Sequence, residues 1–373
     1  MANTRYIVAG SLIDGSGGAV RKSVFLTVKS GVITAIGPAV DLLRTDGTPI
    51  DDLSHCVILP PLVDCSVFLS RSPSLAGETP PSVAGVEMVA RHIRYCHDHG
   101  VLGVAEGGAP VTFPDRYQAR GMIEIRTAGS DFLRVRYSPD IEDSEAPSPR
   151  LDHAELRCMV QQRGEKKAVV VANGPQQVAE ALAAGCDVIE QGYGMGEANL
   201  RRMAELGVLW IPSVLRAKNG LDGARAGGDV ACRFSTRYVA PGKPIPGAEA
   251  FWKKALAEQL AQLRLARNLG VQTAVGTGAG SVGILHGESM VEEVKLLMKA
   301  GYSLDEAIRC ASENGARFFG MERLGAIKVG RQATFLIARG TVSQLPRKLA
   351  YLEGIYVDGE PSPAYRKNPV RSA

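Results

Sequence analysis

The stretch that decides the fold of this chain reads Val57-Ile58-Leu59-Pro60-Pro61-Leu62-Val63-Asp64-Cys65-Ser66-Val67-Phe68. It is an apolar run that we interpret as the first strand of a larger unit. Downstream, short apolar runs alternate with segments of helical spacing, which is typical of a parallel α/β architecture. Further strands are predicted at 101–105, 132–136, 168–172, 187–191, 208–212 and 271–276. The length of 373 residues suits one large α/β barrel with a small additional domain.

Helix signals separate several of these strands. Pro175 stands at a first helical position and Gly185 follows as a terminating glycine, so a helix is predicted between them. The capping box Ser303-x-x-Glu306 precedes a helix that is predicted over 307–319, and another helix is predicted over 83–99. The repeating unit is therefore strand, short loop and helix.

Both ends of the chain carry a different pattern. Short alternating strands with glycine turns are predicted at 6–12, 24–28, 31–36, 333–338 and 354–357. Strands at the start and the finish of an α/β chain predict one small β-sandwich that is built from both termini.

Composition indicates an ordinary globular protein, since 45% of the residues are hydrophobic and the formal net charge is +4. The seven cysteines are scattered, odd in number and never in Cys-x-x-Cys spacing, so we expect reduced thiols and no disulfide framework. The opening residues contain no apolar leader, and no stretch approaches the ~20 apolar residues of a membrane span. We therefore expect a cytoplasmic protein without a membrane or nucleic-acid partner.

Positive charge is concentrated in one segment. Residues 214–254 carry eight basic against three acidic side chains, which accounts for the whole excess. The glycines and prolines of 214–247 predict a long loop. Two interpretations stay open for this loop, a solvated connection and a lid that attracts anions.

Several motifs, in order along nearly the whole chain, resemble those of the amidohydrolase superfamily, in particular its branch of imidazolonepropionases and Xaa-Pro and Xaa-Arg dipeptidases. The motifs are Asp14-Gly15 with Gly31-Val32-Ile33, the run 57–68 as first barrel strand, Gly129-Ser130-Asp131-Phe132-Leu133-Arg134-Val135, Val171-Ala172-Asn173-Gly174-Pro175, residues 181–192, Gly276-Thr277-Gly278-Ala279-Gly280 and residues 324–334. The resemblance implies a TIM-like (β/α)8 barrel over 59–322. It also implies a composite β-sandwich domain from 1–58 and 323–373.

The same resemblance implies a metal centre that activates water for the hydrolysis of C–N bonds. Its ligand positions are occupied here by residues that the family does not use for that purpose: Ser66, Phe68, Arg134, Val171, Gln191 and Gly278. A guanidinium repels a dication and cannot be carbamylated as lysine can, and hydrocarbon side chains offer no donor atom. We therefore expect no metal, no other cofactor and no metal-dependent activity.

Other histidines and nucleophiles do not replace these ligands in the sequence. His92 and His99 are two turns apart on the predicted helix, too far to share an ion, so with His97 they are expected to be solvated or to cap the helix. Ser66 points inward by strand alternation, but it has no evident histidine base and lies in no Gly-x-Ser-x-Gly motif. His286 follows the eighth strand and either faces the barrel mouth or is a hydrogen-bonded surface residue.

What remains at the mouth is a polar cluster around a cation. Ile189 and Gln191 share the inward face of strand six by alternation, and Arg134 is expected near Ser66, Asn173 and Gln191. A buried cation needs a counter-charge. An internal carboxylate is one answer, with Asp64 or Glu106 nearest, and a small anionic ligand held by the guanidinium fork is the other. The candidate ligand-binding residues are Asp64, Ser66, Glu106, Arg134, Arg136, Asn173, Gln191 and His286.

Three functions stay open, with no catalytic residue assigned. The first, which we favour, is a non-catalytic binding protein or scaffold, with a homo-oligomer as a further expectation. The second is a metal-independent enzyme that uses Ser66, Asp64, Glu106 or His286 as acid, base or nucleophile. The third is a C–N hydrolase whose metal is held by unexpected ligands.

Overall fold

The computed structural model describes residues 4–45, 47–71, 86–108, 123–138, 151–226, 246–281 and 283–367. The strands in these ranges are β1 (Thr4–Leu12), β2 (Arg21–Lys29), β3 (Val32–Pro38), β4 (Ile50–Leu59), β5 (Leu62–Val67), β6 (Val101–Glu106), β7 (Glu124–Thr127), β8 (Phe132–Arg136), β9 (Lys167–Ala172), β10 (Val188–Gln191), β11 (Leu209–Ile211), β12 (Phe335–Arg339), β13 (Gly354–Val357) and β14 (Glu360–Pro361). The helices are α1 (Val86–Asp98), α2 (His153–Gln161), α3 (Pro175–Ala183), α4 (Gly196–Leu206), α5 (Val214–Ala226), α6 (Ala248–Leu269), α7 (Ser289–Lys299), α8 (Leu304–Cys310) and α9 (Glu313–Phe318). Short 3-10 turns lie at Ala39–Asp41, Val342–Gln344 and Arg347–Ala350.

The run 57–68 is divided between two sheets. β4 pairs with β1 and β12, whereas β5 pairs with β6 in a separate sheet. Pro60 and Pro61 lie between the two strands, and a proline has no N–H group with which to continue a ladder. The interpretation of this run as one barrel strand is therefore wrong for its first half.

A β-rich domain is built from both chain ends, as predicted. Its seven-stranded sheet has the order β14-β13-β12-β4-β1-β2-β3. One face of these strands forms a separate apolar core that includes Ile7, Leu26, Ile58 and Phe335. The strands predicted near both termini are confirmed. Residues 50–56 were not predicted, because most of them are polar and partly exposed in β4 and show no apolar alternation.

The middle of the chain forms a TIM-like barrel. In the described part of the chain, two parallel sheets provide seven barrel strands, in the orders β5-β6-β7 and β11-β10-β9-β8. The eighth, predicted at 271–276, is an extended segment without a regular ladder. The Trp210 N–H donates to the Gln272 carbonyl and the Cys65 N–H donates to the Val275 carbonyl, each at 2.9 Å. These bonds close the ring between β11 and β5.

One barrel connection lacks its helix. Residues 128–131 join β7 directly to β8, and the Asp131 N–H bonds to the Thr127 carbonyl at 2.9 Å within this turn. Four residues are too few for a packed helix. The Phe319 ring instead meets Phe132 edge to face, with centroids 5.1 Å apart, and covers the start of β8.

The expectation of a loop over 214–247 is wrong for its first part, which is helix α5. Gly220 is a close-packing residue here, since a β-carbon at this position would lie 2.3 Å from the Trp252 ring of α6. The sequence pattern misled us because this glycine resembles a turn signal, whereas it allows two helices to approach each other. Residues 227–245 of the expected loop lie outside the described residues.

The remaining helix predictions hold with small changes. Pro175 opens α3, and Ser303 and Glu306 form the predicted capping box at the start of α8. The helix predicted over 307–319 is interrupted at Ser312, which separates α8 from α9. The described part of the helix predicted over 83–99 is α1. In the described ranges, we find no helix with the length and apolarity needed to cross a membrane.

Candidate ligand site at the barrel mouth

The carboxyl ends of the barrel strands bring together a buried ion pair. The Arg134 side chain on β8 donates from Nε to Glu190 Oε2 at 2.8 Å and from Nη2 to Glu190 Oε1 at 2.9 Å. The Ser66 hydroxyl on β5 donates to the same Oε1 at 2.8 Å. The side chains of Arg134 and Glu190 are only 11% and 4% exposed, so this pair is largely removed from water. We call these three residues the mouth cluster.

Of the two partners left open for Arg134, the structure shows an internal carboxylate, but Asp64 and Glu106, named as the nearest ones, are the wrong residues. In the strand register Glu190 lies beside Val171, and Val171 lies beside Arg136. These residues therefore share one face of the sheet with Arg134, and Glu190 becomes its counter-ion. The expected inward face of strand six, with Ile189 and Gln191, is therefore out of phase by one residue. Arg136, another candidate, is exposed at the end of β8.

Gln191 leaves the strand pattern because it adopts a left-handed backbone with φ of 73°. Its amide oxygen accepts a bond from Asn173 Nδ2 at 2.7 Å, so the two predicted candidates do meet. The Gln191 carbonyl accepts bonds from Trp210 Nε1 at 3.0 Å and from Gln259 Nε2 at 2.8 Å. A left-handed non-glycine residue costs on the order of 1–3 kcal/mol, and these bonds from three elements hold it in place.

Asp64 links β5, the first barrel strand, to the eighth barrel strand. Its carboxylate accepts from the Thr277 N–H at 2.8 Å, from the Thr277 hydroxyl at 2.5 Å and from the Ser66 N–H at 3.2 Å. Burial raises the pKa of Asp64 to about 7, although these hydrogen bonds oppose the shift. The carboxyl group therefore links the first and the eighth barrel strands, between which the barrel closes. We call this contact the seam.

Glu106 performs a similar task on β6. Its two oxygens accept from the Leu69 N–H at 2.5 Å and from the Gly108 N–H at 2.7 Å. Burial raises the pKa of Glu106 to about 7, and the hydrogen bonds and the charges of Arg71 and Arg134 act in the opposite direction. This carboxyl group therefore fixes the backbone just after β5.

Phe68 forms an aromatic wall beside the mouth cluster. The Arg71 guanidinium lies over its ring at 4.4 Å from the centroid, and that of Arg134 lies at 5.3 Å. Such cation–π contacts contribute about 0.5–2 kcal/mol, with the larger values where water is excluded. Arg71 was not among the predicted candidates, because it lies beyond the recognisable strand.

Arg216 is the functional candidate that the sequence pattern missed. It lies in the first turn of α5, is 6% exposed, and donates from Nη1 to the Ser281 hydroxyl at 2.6 Å. Its Nη1 lies 3.7 Å from where a β-carbon of Gly278 would be. In sequence Arg216 was one of several basic residues in 214–254. Its place directly after β11 is the signal that could have distinguished it.

The three histidines of the α1 region and His286 are buried rather than solvated. His92, His97 and His99 are 6%, 0% and 3% exposed, so the first of the two expected roles, a solvated side chain, is wrong. The other, capping of the helix, holds for His99, whose Nδ1 lies 2.8 Å from the Tyr95 carbonyl in the last turn of α1. Each ring bonds to the surrounding structure; His97 Nε2, for example, lies 3.0 Å from the Ser362 hydroxyl of the C-terminal segment. The sequence could not show that this segment covers α1. His286 is also buried and bonds to the Phe68 carbonyl through Nε2 at 3.1 Å.

The family assignment rests on a family model. The model of the amidohydrolase family matches residues 141–364, more than half of the 373 residues. This chain belongs to the amidohydrolase family. The barrel with a β-rich domain from both chain ends is the architecture that this membership implies.

Solved amidohydrolase structures share the fold at low sequence identity. A Xaa-Pro dipeptidase with bound methionine has a TM-score of 0.75 and 18% identity, over 96% of this chain and 99% of that one. A putative prolidase from Bifidobacterium longum has a TM-score of 0.75 and 16% identity, over 98% and 96% of the two chains. Ochratoxinase from A. niger has a TM-score of 0.74 and 15% identity, over 99% of each chain. No curated protein sequence matches the chain.

The positions that the family resemblance assigns to metal ligands hold few side chains of the kinds that bind a divalent ion, with Ser66 and Gln191 as the polar exceptions. Structural and catalytic zinc sites need three or four converging nitrogen, sulfur or carboxylate donors at ~2.0–2.3 Å. Here Phe68 and Val171 offer hydrocarbon, Gly278 offers no side chain, and the Arg134 guanidinium is bonded to Glu190. Within the described ranges, no group of three or more histidine, cysteine, aspartate or glutamate side chains is placed to hold a metal ion.

Proposed function

We propose that this amidohydrolase-family barrel binds a small anionic molecule at its mouth and does not carry out metal-assisted hydrolysis. The observation that supports this most directly is the mouth cluster. The family resemblance assigns Arg134 to the position of the lysine that binuclear relatives carbamylate, and in the structure Glu190 bonds to Arg134 and accepts the Ser66 hydroxyl. A fixed guanidinium at this point opposes the approach of a dication and generates no ionised water.

The charge balance of the mouth favours an anionic ligand. Arg71 and Arg216 carry permanent charges and Arg134 is balanced by Glu190, whereas burial raises the pKa of Asp64 and of Glu106 to about 7 and leaves these acids partly protonated near neutral pH. Guanidinium groups recognise carboxylates and phosphates through paired donors, and the Phe68 ring supplies an apolar surface. A small carboxylate or phosphate with an apolar portion suits this combination.

Metal content and retained ligand test the proposal together. Protein purified without added metal is examined by elemental analysis and by native mass spectrometry, and the expected result is substoichiometric zinc, iron and manganese with a retained anion. Arg216→Met should lose the anion, whereas Arg202→Met, an exposed arginine of α4 paired with Glu205, should keep it. Stoichiometric metal with chelator-sensitive hydrolysis of Xaa-Pro dipeptides, the substrates that some relatives are named for, would refute the proposal and support an enzyme with unexpected ligands.

A second candidate function is metal-independent acyl transfer at Ser66. The observation that favours it is the bond from the Ser66 hydroxyl to Glu190, because Arg134 orients this carboxylate as a third group orients the base of a triad. A fluorophosphonate probe tests this reading. Labelling of Ser66 that Ser66→Ala abolishes and chelators leave unchanged would favour this function, whereas an unlabelled protein that retains an anion would favour binding alone.

A further inference from the structure

Two buried imidazole rings stack beside the carboxyl end of β5. His92 on α1 and His286, before α7, have ring centroids 3.8 Å apart and an angle of 13° between their planes. The backbones that carry them are closely packed, because a β-carbon on Gly287 would lie 2.4 Å from the Tyr95 carbonyl oxygen. The glycine thus lets the loop approach the helix closely enough for the rings to stack.

The stacked rings hold two consecutive peptide groups. His286 Nε2 lies 3.1 Å from the Phe68 carbonyl, and His92 Nδ1 lies 2.8 Å from the Leu69 carbonyl. Because a carbonyl oxygen only accepts, each of these ring nitrogens must carry the proton, which defines both neutral tautomers. Glu106 accepts the Leu69 N–H from the other side at 2.5 Å.

We propose that His92 and His286 form a proton-sensitive clamp, which holds Phe68 and Leu69 while both rings are neutral and releases them when the pair becomes protonated. The inference rests on the proposed function in one respect, since Phe68 is the apolar wall of the mouth. Release of the clamp would regulate access to that ligand site.

The surroundings of the pair disfavour positive charge. Burial lowers the pKa of His92, with a smaller contribution from Arg91, and lowers the pKa of His286 well below its usual value, with a further contribution from His92. The hydrogen bonds to the Leu69 and Phe68 carbonyls act in the opposite direction but do not outweigh burial. Acid therefore brings two like charges into one buried stack, and the folded arrangement resists this. Each unit by which a pKa falls makes the clamped state about tenfold harder to protonate than a released one.

Other charged groups also lie near the clamp. Some of them change protonation with pH, and others keep their charge. Glu106 faces Leu69 and takes up a proton at about pH 7, since burial raises its pKa to about 7, while Arg71 and Arg134 remain charged beside it. Glu288 is buried next to His286, and its N–H donates to the His286 carbonyl at 2.8 Å. The test therefore separates the histidines from both carboxylates by substitution.

Hydrogen–deuterium exchange of the peptide that contains residues 66–71 measures the clamp directly. After correction for intrinsic exchange, we expect protection of the wild-type peptide to fall at least about tenfold between about pH 7.5 and pH 5. The double variant His92→Asn/His286→Gln retains an N–H donor in each position but cannot be protonated, so its protection should be independent of pH. His153→Phe, at an exposed position of α2, is the matched control and should behave as wild type.

Two results would overturn the proposal. One is unchanged wild-type protection at a pH where imidazole NMR signals show both rings protonated. The other is an identical loss of protection in wild type and in the double variant, which would assign the effect to Glu106 or Glu288. Glu106→Gln and Glu288→Gln should retain the wild-type change. This readout needs no ligand and no metal, so its failure is distinct from failure of the proposed binding function.

Discussion

Removal of Arg134 should destabilise the barrel strongly, because the Glu190 carboxylate would lose the guanidinium bonded to it in a site with 4% exposure. Breaking a buried pair in this way costs about 3–5 kcal/mol. For a chain of 373 residues, an unfolding entropy of about 2.1 cal/mol/K per residue makes about 0.8 kcal/mol/K in total. Arg134→Met should therefore lower Tm by about 4–6 °C in scanning calorimetry.

A double-mutant cycle separates this effect from loss of packing. Glu190→Gln keeps an acceptor for the Ser66 hydroxyl but removes the charge, so the variant Arg134→Met/Glu190→Gln should recover most of the stability lost in Arg134→Met. The coupling free energy is expected to be about 2 kcal/mol or more, while Arg202→Met on the surface should change stability by less than about 1 kcal/mol. A single Arg134→Met within about 0.5 kcal/mol of wild type, or strictly additive losses, would refute the buried-pair reasoning.

Three further predictions concern the seam, the helices and the buried acids. Thr277→Val removes the hydroxyl bonded to Asp64 at nearly constant volume. The free energy of unfolding measured with denaturant should therefore fall by about 1–3 kcal/mol. The pKa of Asp64, followed by NMR, should rise further because this hydrogen bond lowers it. Gly220→Leu should displace Trp252 and lower stability by about 1–3 kcal/mol or more, with a change in tryptophan fluorescence. Gly129→Leu, which meets no atom within 4 Å but is strained by a φ of 89°, should lower stability without changing that fluorescence. Because the folded pKa of Glu106 is about 7 and the unfolded pKa is about 4.3, the folded state holds the extra proton, and this contribution is lost as pH rises from about 4.3 through 7. Glu106→Gln should reduce the slope of stability against pH in that window, and an unchanged slope would contradict the assignment.

Local sequence signals predicted those elements that local chemistry determines. Pro175 opens α3 because its missing N–H and fixed φ suit a first helical position, and the Ser303 capping box satisfies its own helix terminus. The alternation of β1 and β12 predicted a domain from both chain ends. Pro60 and Pro61 separate β4 from β5, and prolines are a recognisable break signal. Because the residues on both sides of them are apolar, the run was nevertheless interpreted as one strand.

The partners within the site were predicted only in part. Asn173 and Gln191 meet as expected, but Gln191 does so from a left-handed residue that no alternation rule describes. Glu190 was overlooked because the family motif draws attention to the neighbouring position. Arg216 and the stacked histidines depend on helices and loops that approach each other closely at glycines 220 and 287.

The sequence alone predicted most of the strands, some of the helices and the kind of side chain at the end of most barrel strands. Only the tertiary structure decided which charges are neighbours. Arg134 and Glu190 are 56 residues apart and Asp64 and Thr277 are 213 apart, so no local pattern connects them. The physical reason is that a closed barrel sets its contacts by strand register and helix packing, and a shift of one residue in that register gives every buried charge a different partner.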